Sequence, residues 1–185
     1  MEKRDISEIS VLEICEKACV SVGSFYHYFP SKDVVAFSKC SCDAYFANLI
    51  ATHKFSGSPC DDIMFLLYHH AYYAVETGLT PQTQLLKHRL SPAAIESSDF
   101  SNHERPFASA LCKCVDLGVK QGVLTTAMSA SDIATSLGIF AVGFLYHWCT
   151  TGGDFPILQK SQKALACYLK SFCVDPEHTT IRTYA

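Results

Sequence analysis

One short segment concentrates the hydroxyl and imidazole side chains best suited to polar recognition. Within residues 21–29 these side chains are Ser21, Ser24, Tyr26, His27 and Tyr28. Ser21 is a favourable helix N-cap, and Pro30 ends a helix near Phe29, so the segment is predicted to be a short helix. Exposed donors on such a helix can reach phosphate oxygens, which suggests contact with a nucleic-acid backbone.

The preceding residues predict a partner for this helix. Ser10 and Glu13 match a capping box that opens a helix over residues 10–18. Two short helices joined by a tight turn form a candidate helix-turn-helix, whose second helix enters the major groove of DNA. Phe25 and Phe29 share a face and should anchor that helix. Because the same geometry occurs in many helical cores, spacing alone leaves a purely structural role open.

Helical patterns continue through the rest of the chain. The predicted helices cover residues 31–53, 61–76, 80–89, 103–121, 131–149 and 156–173, with Ser131 as the cap of the fifth. Residues 90–102 are predicted to be a loop, and residues 175–185 a polar, frayed tail. No useful β-alternation appears, so the predicted fold class is all-α.

Composition indicates a globular protein of the cytoplasm. The 185 residues are 49% hydrophobic and 18% charged, which suffices for a sizeable core. No run approaches the roughly 18 apolar residues that span a bilayer, and the start lacks the apolar stretch of a signal peptide. No membrane partner is therefore expected.

The ten cysteines are expected to be small buried hydrophobic side chains, as in a reducing compartment. Two pairs are separated by a single residue, Cys40 with Cys42 and Cys112 with Cys114. Zinc ligands usually have two or more residues between them, so a zinc site is not predicted.

Enzyme chemistry is not indicated either. The sequence has no nucleophile elbow, no HExxH pair, no Walker loop and no dinucleotide fingerprint. His69, His70 and His147 are weak metal candidates, because adjacent helical residues diverge by about 100°. No catalytic residue, cofactor or metal is predicted.

The helix over residues 61–76 is apolar nearly all round, so it should be buried on every side. Tyrosine and histidine tips in that setting need polar partners, and an aromatic cavity for an organic ligand would use them. A plain core with satisfied polar tips is the alternative. The candidate ligand-binding residues are Phe65, Tyr68, His69, Tyr72, Phe107, Leu111, Phe140, Phe144 and His147.

The helices over residues 131–149 and 156–173 are too apolar to be covered by one small domain. Ala134, Gly138 and Ala141 would allow another helix to approach closely. A dimeric four-helix interface is the predicted way to bury them.

The segment over residues 20–33, VSVGSFYHYFPSKD, closely resembles the signature of the TetR/AcrR family of transcriptional regulators. Residues 146–154 are similar to the end of the penultimate helix of that family. The resemblance implies a helix-turn-helix head over residues 1–33, a connecting helix over 34–53, a ligand-binding and dimerisation domain over 54–174, and the tail over 175–185.

The resemblance also implies partners and contacts. A homodimer would place two recognition helices in successive major grooves of a palindromic operator, and a small organic effector would release this repressor. The residues implied in DNA contact are Val22 and Ser24 near bases, with Ser21, Tyr26, His27, Tyr28 and Lys32 on phosphates or bases.

Three departures keep an alternative open. Residues 1–50 contain five basic and seven acidic side chains. Only residues 1–9 precede Ser10, so the first helix of the head is expected to be mostly missing. Cys19 stands where the family usually has Gly, and a left-handed backbone there would cost about 1 kcal/mol. The alternative is a dimeric small-molecule-binding protein of the same fold whose head no longer functions.

Overall fold

A computed structural model describes residues 8–28, 32, 42–89 and 104–184. Within these ranges the chain forms helices α1 (Val11–Ala18), α2 (Val22–Tyr28), α3 (Cys42–Thr52), α4 (Pro59–Thr77), α5 (Leu79–Arg89), α6 (Pro106–Lys120), α7 (Ala130–Thr150) and α8 (Ile157–Lys170). The extended pairing described there is one isolated bridge, between Leu124 and Cys173. The all-α prediction is confirmed.

The start of α1 follows from a local hydrogen-bond exchange. The backbone N–H of Glu13 donates to the hydroxyl of Ser10 (3.1 Å), and the backbone N–H of Ser10 donates to the Glu13 carboxylate (3.4 Å). This is the predicted capping box, which satisfies two donors that a helix start leaves without partners. Cys15 of α1 and Phe25 of α2 are buried, so the two helices pack on each other through these side chains.

The turn between α1 and α2 passes through a left-handed residue. Cys19 has φ 54° and ψ 41°, and its side chain is exposed. The backbone N–H of Val20 donates to the carbonyl of Cys15 (3.0 Å), which closes the end of α1. The predicted strain is therefore present, because a residue with a Cβ occupies a conformation that suits glycine.

We expect Cys19→Gly to stabilise the head by about 1 kcal/mol, because glycine adopts this backbone conformation without the Cβ clash. Urea unfolding followed by circular dichroism measures the change. Ala18→Gly is the matched control, since it places glycine one residue earlier, inside α1, and should destabilise by about 1 kcal/mol. Equal effects of the two variants would contradict the argument.

Helix α4 is the centre of the C-terminal bundle, as its sequence predicted. It packs against α6, α7 and α8. The fully buried side chains come from all four helices and include Ile63, Met64, Leu66, Leu67, Leu111, Val115, Ile133, Leu137, Leu165 and Leu169. This common core sets the positions of α6, α7 and α8 around α4.

Helix α3 joins this core through its aromatic residues. Phe46 is completely buried, and its ring lies 4.7 Å from that of Phe107 on α6. The hydroxyl of Tyr45 lies 2.7 Å from Nδ1 of His69 on α4. The connecting helix is therefore held on the C-terminal bundle by one apolar and one polar contact.

Helix α7 differs from the prediction in two respects. Its N-cap is Ser129, whose hydroxyl accepts from the backbone N–H of Asp132 (3.1 Å), and not Ser131. An 18-residue window of this helix reaches a mean hydropathy of 1.3, so by length and composition it could cross a membrane. The expectation that no run approaches such a span was wrong. Leu137 and Trp148 are buried, so part of the apolar surface of α7 packs within the protein.

The end of the chain is packed, and the expectation of a frayed tail is wrong for residues 181–184. The side-chain amide of Gln162 donates to the carbonyl of Tyr184 (2.8 Å) and accepts from its N–H. The ring of Tyr184 stacks on Tyr68 at 5.2 Å. The backbone N–H of Arg182 donates to Asp61 (3.0 Å). Polar groups on α4 and α8 thus supply the partners of this segment.

Candidate DNA-binding surface and ligand cavity

Helix α2 presents most of its surface to solvent. Phe25 is its single buried residue and is 4% exposed. At about 100° per residue, Gly23 and His27 lie opposite Phe25, with Tyr26 on one flank. Tyr26 is 55% exposed and Tyr28, at the end of the helix, is 74% exposed. The predicted anchor is thus buried and the predicted contact residues are accessible.

Ser21 acts chiefly on the helix itself. The backbone N–H of Ser24 donates to the Ser21 hydroxyl (2.9 Å), and the two hydroxyl oxygens are also 2.9 Å apart. This arrangement is the predicted N-cap. The Ser21 hydroxyl therefore positions the first turn of α2, and Ser24 is the more available of the two for an outside partner.

Lys32 points toward the head. Its ammonium donates to the backbone carbonyl of Ile9 (2.9 Å) and is partly buried. One of the three ammonium donors is thus committed to tying residue 32 to the start of α1. Lys32 therefore stabilises the head through this hydrogen bond. The phosphate contact expected from the sequence stays a prediction.

Gly23 is a functional candidate that the sequence analysis missed. A Cβ built at this position would meet only the Ser21 hydroxyl, at 3.7 Å. An exposed helical glycine costs about 1 kcal/mol relative to alanine, and packing within the protein does not require one here. Close approach of another molecule to the helix backbone would account for a glycine at this position. The sequence signal that could have pointed to this role is the presence of a glycine in the first turn of a predicted helix.

The comparisons with known proteins identify this pair of helices. Residues 1–37 match the family model of bacterial regulatory proteins, tetR family. The chain carries the head of a TetR-family transcriptional regulator. No curated protein and no solved structure matches the chain. The matched residues contain α1 and α2, the two helices of the candidate helix-turn-helix, whereas α3–α8 lie beyond the matched residues.

A cavity of about 470 Å³ lies between α3 and α6. Helix α3 contributes Ala47 and Ile50, whereas α6 contributes Ser109, Ala110 and Lys113 among others. Most of these side chains are small or apolar, and Lys113 adds one cation. The volume is that of a typical site for a small organic molecule.

Asp62 fixes the turn that closes one side of this cavity. It is buried and accepts hydrogen bonds from the backbone N–H and hydroxyl of Ser56 (2.9 and 2.7 Å) and from the N–H of Gly57 (3.1 Å). Burial first, and then Asp62, raise the pKa of the nearby Cys114 thiol to about 12. Cys114 is therefore a neutral thiol in the cavity wall at physiological pH.

The predicted ligand residues of α4 form an aromatic row. Phe65 and His69 have ring centroids 4.4 Å apart, and Tyr68 and Tyr72 are 5.9 Å apart. His53, which follows α3, stacks on Phe65 at 3.6 Å. Burial and the nearby His53 lower the pKa of His69. These rings contact one another and the connecting helix, and they do not line the 470 Å³ cavity.

The remaining candidates lie elsewhere. Phe140 and Phe144 pack on each other (5.3 Å) on α7, and His147 packs on Phe155 (4.9 Å). Leu111 belongs to the central core, and Phe107 lies between Phe46 and His70. The structure therefore does not bring the nine predicted residues together. The sequence predicted an aromatic wall, whereas the 470 Å³ cavity is lined by a mixture of small, apolar and charged side chains.

Cysteine burial only partly follows the prediction. Cys15, Cys60 and Cys173 are buried, but Cys19 and Cys167 are exposed. The sulfur atoms of Cys60 and Cys173 lie 4.0 Å apart, and burial raises the pKa of Cys60 to about 12. Within residues 8–28, 32, 42–89 and 104–184, no three histidine, cysteine or acidic side chains gather as metal ligands.

Proposed function

We propose that this protein is a cytoplasmic, dimeric repressor that leaves a palindromic operator when a small organic ligand enters the cavity between α3 and α6. The observation that carries the proposal is that the connecting helix forms a wall of this cavity. A ligand that fits a wider spacing of α3 and α6 shifts the protein toward that spacing. Because α3 follows the head in the chain, its movement changes where the head lies.

The DNA contacts assigned in this proposal lie on α2. Val22 and Ser24 approach base edges, Tyr26, His27 and Tyr28 donate to phosphates or bases, and Gly23 lets the helix backbone come close. All of these side chains are exposed. Ser21 and Lys32 hold the helix and its turn in place, and both are also assigned to phosphate contacts. Operator affinity falls steeply with salt in such a complex.

The dimer interface assigned here is the outer face of α7. Ile139 is 60% exposed, Phe140 38% and Tyr146 56%, and the helical spacing puts all three beside Gly143 on one side. Contiguous exposed apolar surface of this kind marks interaction sites. The absent Cβ of Gly143, which has nothing within 4 Å, lets a second helix approach.

We expect Ile139→Asp to weaken dimerisation at least tenfold, because it buries a carboxylate in an apolar interface. Sedimentation velocity over a concentration series measures the change. Val174→Asp is the matched control, because Val174 is 64% exposed and lies outside this face. Dissociation by Val174→Asp and not by Ile139→Asp would place the interface elsewhere.

Selection of bound sequences from a random DNA pool by the full chain tests the central claim. We expect enrichment of a palindrome whose half-sites are separated by about one helical turn, 10 base pairs, or a multiple of it. A thermal-shift screen of small organic molecules then supplies candidate effectors, which are tested for release of the selected DNA. A pool without enrichment would overturn the repressor proposal.

The second candidate is a dimeric ligand-binding protein whose head no longer binds DNA. Two observations favour it. The Lys32 ammonium is engaged with Ile9, and residues 8–28 contain Glu8, Glu13 and Glu16 against one cation, Lys17. Ligand binding without any DNA enrichment is the result that would select this candidate.

A further inference from the structure

A second, smaller cavity lies where α3, α4, α5 and α6 meet. It is lined by Cys42, His70, Arg89, Arg105, Phe107 and Ala108. Among the described residues, none lines both this cavity and the 470 Å³ cavity, so we treat the two as separate. Three basic side chains from three different elements converge on this small space.

The cavity has a surplus of positive charge among the described residues. Arg105 forms an ion pair with Asp43 of α3, with a guanidinium N–O distance of 3.1 Å and an Nε–Oδ1 distance of 3.2 Å. Arg89, the last residue of α5, lies close enough to Arg105 to be affected by it. Burial, and then the charge of Arg105, lower the pKa of Arg89.

His70 adds no further positive charge to this cavity at pH 7. It is buried, and burial together with Arg89 and Arg105 lowers its pKa to about 4. It is therefore neutral at pH 7, and the described residues place two guanidinium groups and the carboxylate of Asp43 at this cavity. Partly buried charge of one sign is costly, so an anion that contacts both guanidinium groups would be stabilised.

The available space decides how an anion can enter. The open volume is about 10 Å³, which corresponds to about one water molecule. A carboxylate is larger than this, but Asp43 already places one carboxylate against Arg105. A ligand carboxylate therefore fits when it takes the position of the Asp43 side chain, which is 42% exposed and can turn toward solvent.

We propose that Arg89 and Arg105 form a binding site for the carboxylate of a small organic acid, which displaces Asp43. Phe107 and Ala108 border the small cavity, which has no room for the organic part of the acid, so that part extends toward solvent where the Asp43 side chain is exposed. Displacement breaks the ion pair that joins α3 to the start of α6. Binding at this site is independent of the function proposed above, whereas any effect on DNA rests on it.

Thermal unfolding of the full chain in matched ionic strength tests the site. The probes are sodium propionate and sodium benzoate, with propionamide and benzamide as uncharged counterparts and inorganic phosphate as a different anion. We expect the two carboxylates to raise the unfolding temperature in a saturable way and the amides to have no effect. No shift with either carboxylate, or a shift with phosphate alone, would overturn the carboxylate assignment.

Two variants act in opposite directions. Arg89→Gln should abolish the carboxylate-induced shift, whereas Asp43→Asn removes the competing charge and should lower the half-saturating carboxylate concentration about tenfold, or 1.4 kcal/mol. Lys120→Gln, which removes an exposed cation at the end of α6 outside both cavities, is the matched control and should leave the shift unchanged. A shift that survives Arg89→Gln, or that Asp43→Asn weakens, would overturn the site. If Arg89→Gln does not fold, the Asp43→Asn titration decides.

The effect on DNA separates this inference from the proposed function. DNA selected by the protein is incubated with each carboxylate at the saturating concentration. Release of DNA by the carboxylate that is lost in Arg89→Gln supports coupling through Asp43. Saturable carboxylate binding without release of DNA overturns that coupling but leaves the anion site supported. Failure to select any DNA counts against the repressor proposal and leaves the thermal result as it is.

Discussion

Replacing Phe46 with Ala is expected to lower the free energy of unfolding by about 3–5 kcal/mol, the usual cost of removing a buried aromatic ring. Phe46 is completely buried between α3 and the bundle, and its ring packs on Phe107 at 4.7 Å and on Tyr45 at 5.2 Å. The cavity left behind cannot close without moving α3. Urea unfolding monitored by circular dichroism measures the change.

Tyr26→Ala is the control for this substitution. It also removes a large aromatic ring, but from a side chain that is 55% exposed, so its effect should stay within about 0.5 kcal/mol. A loss below about 1 kcal/mol in Phe46→Ala would be too small for a filled core position. That result would mean that the connecting helix is not anchored through this residue.

Replacing Gly23 with Leu is expected to weaken operator binding about 100-fold, because a side chain on the outer face of α2 holds the helix away from the groove and removes about two base contacts worth 1–3 kcal/mol each. The same change should stabilise α2 by about 0.5–1 kcal/mol, since leucine is a better helix former than glycine. Fluorescence anisotropy with the selected operator and urea unfolding measure the two effects.

The opposite signs of these effects distinguish a surface role from a folding defect. Gly23→Ala should give the same pattern with smaller amplitude. Glu16→Ala is the matched control in the head, because it removes an exposed acid from α1 and should leave affinity unchanged or increase it. Full affinity in Gly23→Leu would exclude close approach of α2 to DNA at this point.

Features fixed by near neighbours in the sequence were predictable. The capping box of Ser10 and Glu13 and the burial of most of α4 depend on local hydrogen bonds or helical periodicity. The burial of Phe25 followed from its spacing relative to Phe29 and the polar residues between them. Each of these required only residue types at known separations.

Features that depend on distant partners were not predictable in this way. The Lys32 ammonium finds a carbonyl 23 positions earlier, and Tyr184 finds Gln162 and Tyr68 on two different helices. The cavity beside α6 is lined by residues from separate segments, among them Ala47, Phe55 and Ala110, which no single periodic pattern brings together. Residues 1–7, 29–31, 33–41, 90–103 and 185, for which the sequence also made predictions, lie outside the described residues.

Two exposed cysteines, one in the head and one in the C-terminal bundle, allow movement of the head to be measured as a distance between two labels. Cys19 lies in the turn of the head and Cys167 on α8, and both accept a nitroxide or a fluorophore without opening the core. With serine at the partly buried cysteines and at Cys40, each chain carries one label on the head and one on the C-terminal bundle. The distribution of distances between the labels then reports, without DNA, how far a ligand displaces the head and in what fraction of molecules.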